Sequence, residues 1–317
     1  MLSDRLPELL NSGELTAEDL YSLLHECEEN SNKRVRLLRA KRAHRKHPIF
    51  EATDPIAFYK KSGSWPAFGV RSVGATPSEP KVTEVRIEEA RGQRALVVKV
   101  GMVDERRVLI DESQDANGND VLVFGKRSVP AINVVRLFED GLMEMRMHRD
   151  KDIEDYSGTA SLITKLVSPL ISIDHFVQHP VHDILDKLWD PKTREQLAEH
   201  MAIIRSKHKN GRQTKIEVTT GALVGGLITD PDTLDTMDRF HNSEGGPTVA
   251  ACESVLLQTY ITEKETLAGV RPVVVHIHGQ KHEFSVPAKC RKADYDRALS
   301  QLIGAQRRRK SASRNGR

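Results

Sequence analysis

Cysteine is scarce in this chain: three in 317 residues, with Cys27, Cys252 and Cys290 far apart in sequence. Such scatter offers neither the paired thiolates of a zinc site nor a disulfide framework. Aromatic residues make up 5% of the chain, and few stand among the basic residues, so base stacking has little to work with. No run approaches the roughly 20 apolar residues that a membrane helix needs. The opening Met1-Leu2-Ser3-Asp4 lacks the basic flank and apolar stretch of a signal peptide. Phosphate-binding loops are missing too. The glycine-rich Thr220–Gly226 segment carries no Lys-Ser or Lys-Thr after its glycines, and no Gly-x-Ser-x-Gly elbow or zinc-protease helix occurs. These absences predict a cytoplasmic protein with reduced thiols, no membrane partner and no nucleotide cofactor.

The charge distribution is the informative feature. The chain totals +3, but residues 1–32 hold eight acids against Arg5. Residues 33–47 then hold eight bases and no acid: Lys33, Arg34, Arg36, Arg39, Lys41, Arg42, Arg45 and Lys46, with His44 and His47 among them. A second block from Arg307, including Arg308, Arg309 and Lys310, holds six bases and no acid. The two blocks carry +14 of the total of +3, which leaves −11 for the rest. Segregation of this kind suits a polyanion, because each base at a phosphate releases condensed counterions. An acidic protein partner, or pairing with Glu26, Glu28 and Glu29, would use the same bases.

Hydrophobic periodicity predicts an N-terminal helix capped by Ser12 or Thr16, resuming from Asn30 through the basic block until Pro48. Residues 62–80 read as a linker. Residues 82–148 alternate as an antiparallel meander of five or six strands, turning at Asn117-Gly118, with Met143, Met145 and Met147 on a core face opposite Glu144 and Arg146. Helices are expected over 157–209, the last from Thr193 to His208. Val249–Ile261 fits either helix or strand, Val273–Val286 reads as a hairpin, and Ala293–Ile303 closes the chain as a helix. The expected class is α+β: an antiparallel meander, a central helical segment, a smaller β/α region and a disordered basic C-terminal tail. The expected parts are a helical segment at 1–61, a linker at 62–80, a β region at 81–155, a helical and hairpin region at 156–305, and the tail at 306–317.

Three constellations suggest chemistry. A two-residue turn at Gly279-Gln280 would place His276, His278, Lys281 and Glu283 on one exposed face, with His276 opposite Glu283. Two imidazoles and a carboxylate could ligate a divalent metal, although Lys281 would repel it. His175, His179, His182 and Asp183 cluster in sequence, but Pro180 disfavours a helical pairing of His175 with His179. Asp104, Asp111, Glu112 and Asp120, with Lys126 nearby, loosely suit a metal-dependent nuclease without matching a specific spacing.

The expected function is therefore non-enzymatic nucleic-acid binding without a cofactor, through phosphate contacts that read little sequence, with duplex DNA ahead of structured RNA. The contacts fall on Lys33, Arg34, Arg36, Arg39, Lys41, Arg42, Arg45, Lys46 and Arg307–Lys310. Alternatives are a metal-dependent hydrolase or nuclease built on His276, His278 and Glu283, or a scaffold subunit that pairs with itself or an acidic protein.

Overall fold

A computed structural model of the chain describes residues 2–63, 65–74, 77–115, 117–149, 155–199, 201–209, 215–220, 226–242, 251–259, 272–279, 282–287 and 290–307. Their elements are α1 (Leu2–Asn11), α2 (Ala17–Asn30), β1 (Lys33–Ala40), α3 (Pro48–Glu51), α4 (Pro55–Lys61), β2 (Lys81–Ala90), β3 (Gln93–Gln114), β4 (Asp120–Phe138), β5 (Leu142–His148), α5 (Ser157–Val167) and β6 (Phe176–Gln178). Then follow α6 (His182–Trp189), α7 (Pro191–Ala198), β7 (Met201–Lys209), β8 (Lys215–Thr219), α8 (Pro231–Asn242), β9 (Ala251–Thr259), β10 (Val274–His278), β11 (Glu283–Val286) and α9 (Lys292–Arg307). Helices flank a large antiparallel sheet, so the class is α+β.

The eleven strands form one sheet in the order β2-β3-β4-β5-β1-β11-β10-β9-β7-β8, with β6 also beside β1. The N-terminal segment thus supplies the central strand, which joins β5 on one edge to β11 and β6 on the other. This corrects the helix expected through the basic block. Val35 and Leu37 project to one side of β1 and Leu38 to the other, and all three are buried. Arg34 and Arg36 alternate with Val35 and Leu37, and the carboxylate that accepts both bases, Glu283, lies far away in the chain.

Helix α5 packs on one side of the sheet and helix α9 on the other. On the α5 side, Leu96, Val98, Val135, Leu137, Met143, Met145 and Met147 pack with Ile49, Phe50, Tyr59 and α5 residues Ala160, Ile163 and Val167. The methionine stripe is a core face, as its alternation implies. On the α9 side, Val35, Leu37, Val275, Ile277, Phe284 and Val286 pack with α6 and with Tyr295, Leu299 and Leu302 of α9.

Several boundaries differ from expectation. The meander contains four strands, because the apolar runs at 96–103 and 108–110 belong to one continuous β3, paired along its length with β4. The turn between them is held by the Asp115 side chain, which accepts from the Asn117 and Asn119 amides, while Gly118 adopts φ +82°. The helix expected to His208 ends at Ala198, and β7 begins at Met201. Val249–Ile261, left open between helix and strand, contains β9. Thr16 caps α2 in a reciprocal capping box with Asp19. Loop residues of 62–80 fold back onto the body, with the Tyr59 hydroxyl donating to the Pro66 carbonyl. The basic tail beyond Arg307, the Gly245-Gly246 turn and most of the Thr220–Gly226 stretch lie outside the described residues.

Candidate functional site

The basic block does not act as one surface. Lys33 is 1% exposed and Arg34 6% exposed. The Lys33 ammonium donates to the Ile132 carbonyl at 2.5 Å, and burial pulls its pKa down to about 7. Arg34 Nε and Arg36 Nη2 each reach the Glu283 carboxylate at 2.6 Å. Arg39 pairs with Asp140 at 3.2 Å. Past the strand the bases emerge: Lys41, Arg42, Arg45 and Lys46 are all exposed. Lys41 Nζ donates to the Asp174 carbonyl at 2.6 Å, and Lys46 reaches Glu51 at 3.5 Å. Arg307 ends α9, and Arg308, Arg309 and Lys310 lie outside the described residues.

A basic surface does form on the α5 side of the second half-sheet. The strand registers place Arg34 and Arg36 of β1, Ser285 and Glu283 of β11, His276 and His278 of β10, and Arg205 and Lys207 of β7 on this side. Arg205 and Lys207 are about half exposed and share Glu217 of β8, at 3.3 and 3.1 Å. The His276 and His278 rings lie with centroids 3.9 Å apart and planes tilted by 45°, and His278 shares a hydrogen bond with the Ser285 hydroxyl at 3.2 Å. His276 is pushed down to about 4, first by burial and then by the surrounding charges of Arg205, Arg34, Arg149 and Lys207. Burial alone disfavours the imidazolium, and the cations on this side act in the same direction.

This geometry corrects two expectations about the hairpin. The turn is longer than two residues: His278 pairs with Glu283 and His276 with Ser285, two positions off the expected register. Because the slip is even, each side chain keeps its expected side. Both histidines are half-buried rather than exposed. Glu283, needed as a metal ligand, already receives two guanidinium groups, and the same cations would repel a metal ion. Lys281 lies outside the described residues.

The other constellations are dispersed. His175 stacks on His44, with ring centroids 3.7 Å apart, whereas the His179 amide donates to the Leu37 carbonyl and Asp183 sits in the first turn of α6. Asp111 and Asp120 are strung along the β3–β4 ribbon, and Lys126 pairs with Glu105 at 2.8 Å. A cleft of about 720 Å³ beside Trp65, Pro66, Leu166 and Pro169 has Lys81 as its charged lining residue and gathers no acid–base pair.

Sequence reasoning missed a second charged region, on the α9 side of the first half-sheet. Glu144 and Arg146, expected opposite the core face of a half-buried strand, are buried, and so are Glu84, Arg86, Lys99 and Arg136. Helices α2 and α9 cover them. Arg86 makes a bidentate pair with Glu29 of α2, at 2.8 and 2.7 Å, and also binds Glu84 and Glu88. Lys99 reaches Glu28 at 2.7 Å. Arg136 bridges Glu88 and Asp296 of α9, at 2.7 and 2.5 Å. Arg146 binds Glu144 at 2.5 Å and lies 3.8 Å from the Tyr295 ring centre. Burial alone would raise the Glu29 and Glu88 carboxyls, but the neighbouring guanidiniums overcome it and hold both below their ordinary values, Glu88 at about 2. Within this band His25, Glu29 and Glu84 bring their ligand atoms within 4.8 Å of one another, as a metal would require. The Arg86 guanidinium already binds both carboxylates, so the geometry is that of an enclosed ion-pair network. The acid block of α2, seen against the basic strand positions, was the available signal.

Comparison of the chain with known protein families, curated proteins and solved structures finds no match.

Proposed function

We propose that this protein binds nucleic acid without catalysing a reaction on it, contacting the phosphate backbone through the open basic half-sheet and the exposed turn at 41–46. The observation that carries this reading is the strand register that sets Arg34, Arg36, Arg205 and Lys207 on one side of the sheet, where Arg205 and Lys207 reach solvent. The turn leaves the same central strand. Described residues of the open side include no exposed aromatic platform, which favours duplex DNA over single strands. The contacts carry little sequence information because they address phosphates rather than base edges.

Compared with the expected binding set, this reading removes Lys33 and Arg34 as direct contacts and adds Arg205 and Lys207. A test is fluorescence anisotropy of a labelled duplex across a salt series. Each phosphate contact adds about 0.9 to the slope of log affinity against log salt. Replacing Arg42, Arg45, Arg205 and Lys207 together with Gln should flatten that slope by about 3 to 4 and weaken all duplex sequences alike. Wild-type protein that binds neither duplex DNA nor structured RNA at low salt overturns the proposal.

A further inference from the structure

The β3–β4 hairpin extends well past the sheet. β2 accompanies β3 only to Gly101, and β5 accompanies β4 only from Val134. Beyond those points the two strands pair with each other through Gln114 and Asp120, making an arm about 40 Å long. A two-stranded ribbon alone in water is marginally stable at best. This one is also apolar outside: Leu109, Ile110, Val121, Leu122, Val123 and Phe124 are between 40% and 67% exposed. A patch of that size marks a contact surface.

The register sorts the arm into two faces. Leu109 pairs with Phe124 and Leu122 with Glu112, so Leu109, Leu122 and Phe124 share one face. On the other, Ile110 fills the space above Gly125, where an added Cβ would fall 2.1 Å from its Cδ1. The first face is therefore the better candidate for an outside partner. Its charges are ordered along its length. Towards the body, positions 107 and 126 are Arg and Lys in register, with Glu105 of the same face paired to Lys126 at 2.8 Å, while Glu112 and Asp120 lie towards the tip. Residues 108–125 contain four acids and no base.

We infer that this face is a self-association surface, on which two copies cross their arms antiparallel about a two-fold axis. Antiparallel crossing lays the Leu109, Leu122 and Phe124 cluster of one arm on that of the other. It also brings the acidic tip of each arm towards the net-positive row at 107 and 126 of its partner. The surface is self-complementary, which a two-fold contact requires. An acidic tip opposes insertion into an anionic lipid surface or against phosphate, so a second copy fits better than either. One ribbon face offers about 400 Å² per copy, half of the roughly 800 Å² per partner in a standard interface, so the dimer should dissociate in the micromolar range.

Sedimentation velocity of the full chain from about 1 to about 100 µM tests this. A reversible monomer–dimer equilibrium is expected. Leu122→Asp with Phe124→Asp should leave a monomer throughout, whereas Val121→Ser with Val123→Ser, on the opposite face, should leave the equilibrium within about threefold of wild type. Arg107→Glu with Lys126→Glu should weaken association at least about tenfold, and adding Glu112→Lys and Asp120→Lys should restore it. Replacing residues 108–125 by an Asn-Gly turn should give a monomer with the wild-type melting transition, which separates loss of the contact from loss of the fold. A wild-type monomer at all concentrations, a dimer insensitive to Leu122→Asp with Phe124→Asp, or a monomer that captures anionic vesicles through the arm would each overturn the inference.

Discussion

The two charged regions of this sheet use the same residue types to opposite ends. On the α9 side of the first half, Arg86, Arg136 and Arg146 are enclosed with carboxylates from the strands, α2 and α9. On the α5 side of the second half, Arg205 and Lys207 share a single glutamate and remain half exposed. What separates them is cover. Beneath two helices a base spends its charge on fixing how those helices sit, because a misplaced helix would leave an ion pair open. On a strand whose bases stay half exposed, the same base projects its field outward. Enclosed pairs therefore govern whether the chain folds in one arrangement, and the open bases govern what approaches it.

The largest effect should come from unbalancing the enclosed region. Arg146→Met leaves the Glu144 carboxylate buried without its closest cation, and breaking a buried pair in this way costs about 3–5 kcal/mol. Replacing both partners, as Glu144→Leu with Arg146→Met, should recover most of that loss, since apolar side chains of similar volume often substitute for a buried pair at little net change. Urea denaturation of the wild type, the single and the double variant measures the difference. A double variant as unstable as the single would show that these residues are held by something other than each other. Arg205→Gln, by contrast, should change stability by less than about 0.5 kcal/mol, as exposed substitutions do.

A smaller, graded effect should appear in the pH dependence of stability. Glu88 is held at about 2, and its ordinary value is 4.5, so the unfolded chain takes up this proton first as pH falls. Its contribution is present above about 4.5 and is lost as pH drops towards 2. Lys33 is lowered from 10.5 to about 7, so between these values the unfolded chain binds the extra proton and stability rises with pH. Lys33→Met should remove the alkaline slope while leaving the acid limb in place. Denaturation midpoints from pH 2 to 10 would read both limbs, and an unchanged alkaline slope in Lys33→Met would contradict the assignment.

Much of the fold was legible because it depends on local period. The methionine stripe of β5, the Thr16 cap, the hairpin at Asn117-Gly118, the two sides of the β10–β11 hairpin and the closing helix all follow from spacing within a few residues. Illegible features depend on distant partners. KRVRLLRA alternates tolerably as a strand and also suits a helical face, and the strands it pairs with, β5 and β11, lie about 110 and 250 positions away. The polar positions 84, 86, 144 and 146 look like a solvent face because nothing near them in sequence announces that α2 and α9 will cover it. The candidate site was half legible for the same reason. Residues 33–47 were correctly singled out as anomalous in charge, but the strand that buries their first half was hidden, and Arg205 and Lys207 carried no local signal of their own.

The smallest expected effect bears most directly on the open region. His276 is lowered to about 4, mainly by burial and next by Arg205, with Arg34, Arg149 and Lys207 adding to it. Removing one cation should release only the electrostatic part, so Arg205→Gln should move the His276 midpoint upward while leaving it below the ordinary 6.5. A phosphate-bearing duplex on this face should act in the same direction, because an anion favours the imidazolium that the cations oppose. By linkage, protonating His276 should tighten binding by the same factor that binding raises its proton affinity, and this gain should be confined to pH values near that midpoint. Between pH 6 and 8 His276 stays neutral, so it should contribute no pH dependence there. Nuclear magnetic resonance of the His276 ring protons, titrated with and without duplex, resolves the shift residue by residue. A midpoint near 6.5 in the free wild-type protein would mean that the cations do not converge on this ring. A midpoint near 4 that bound duplex leaves unmoved would place the nucleic acid somewhere other than the open half-sheet.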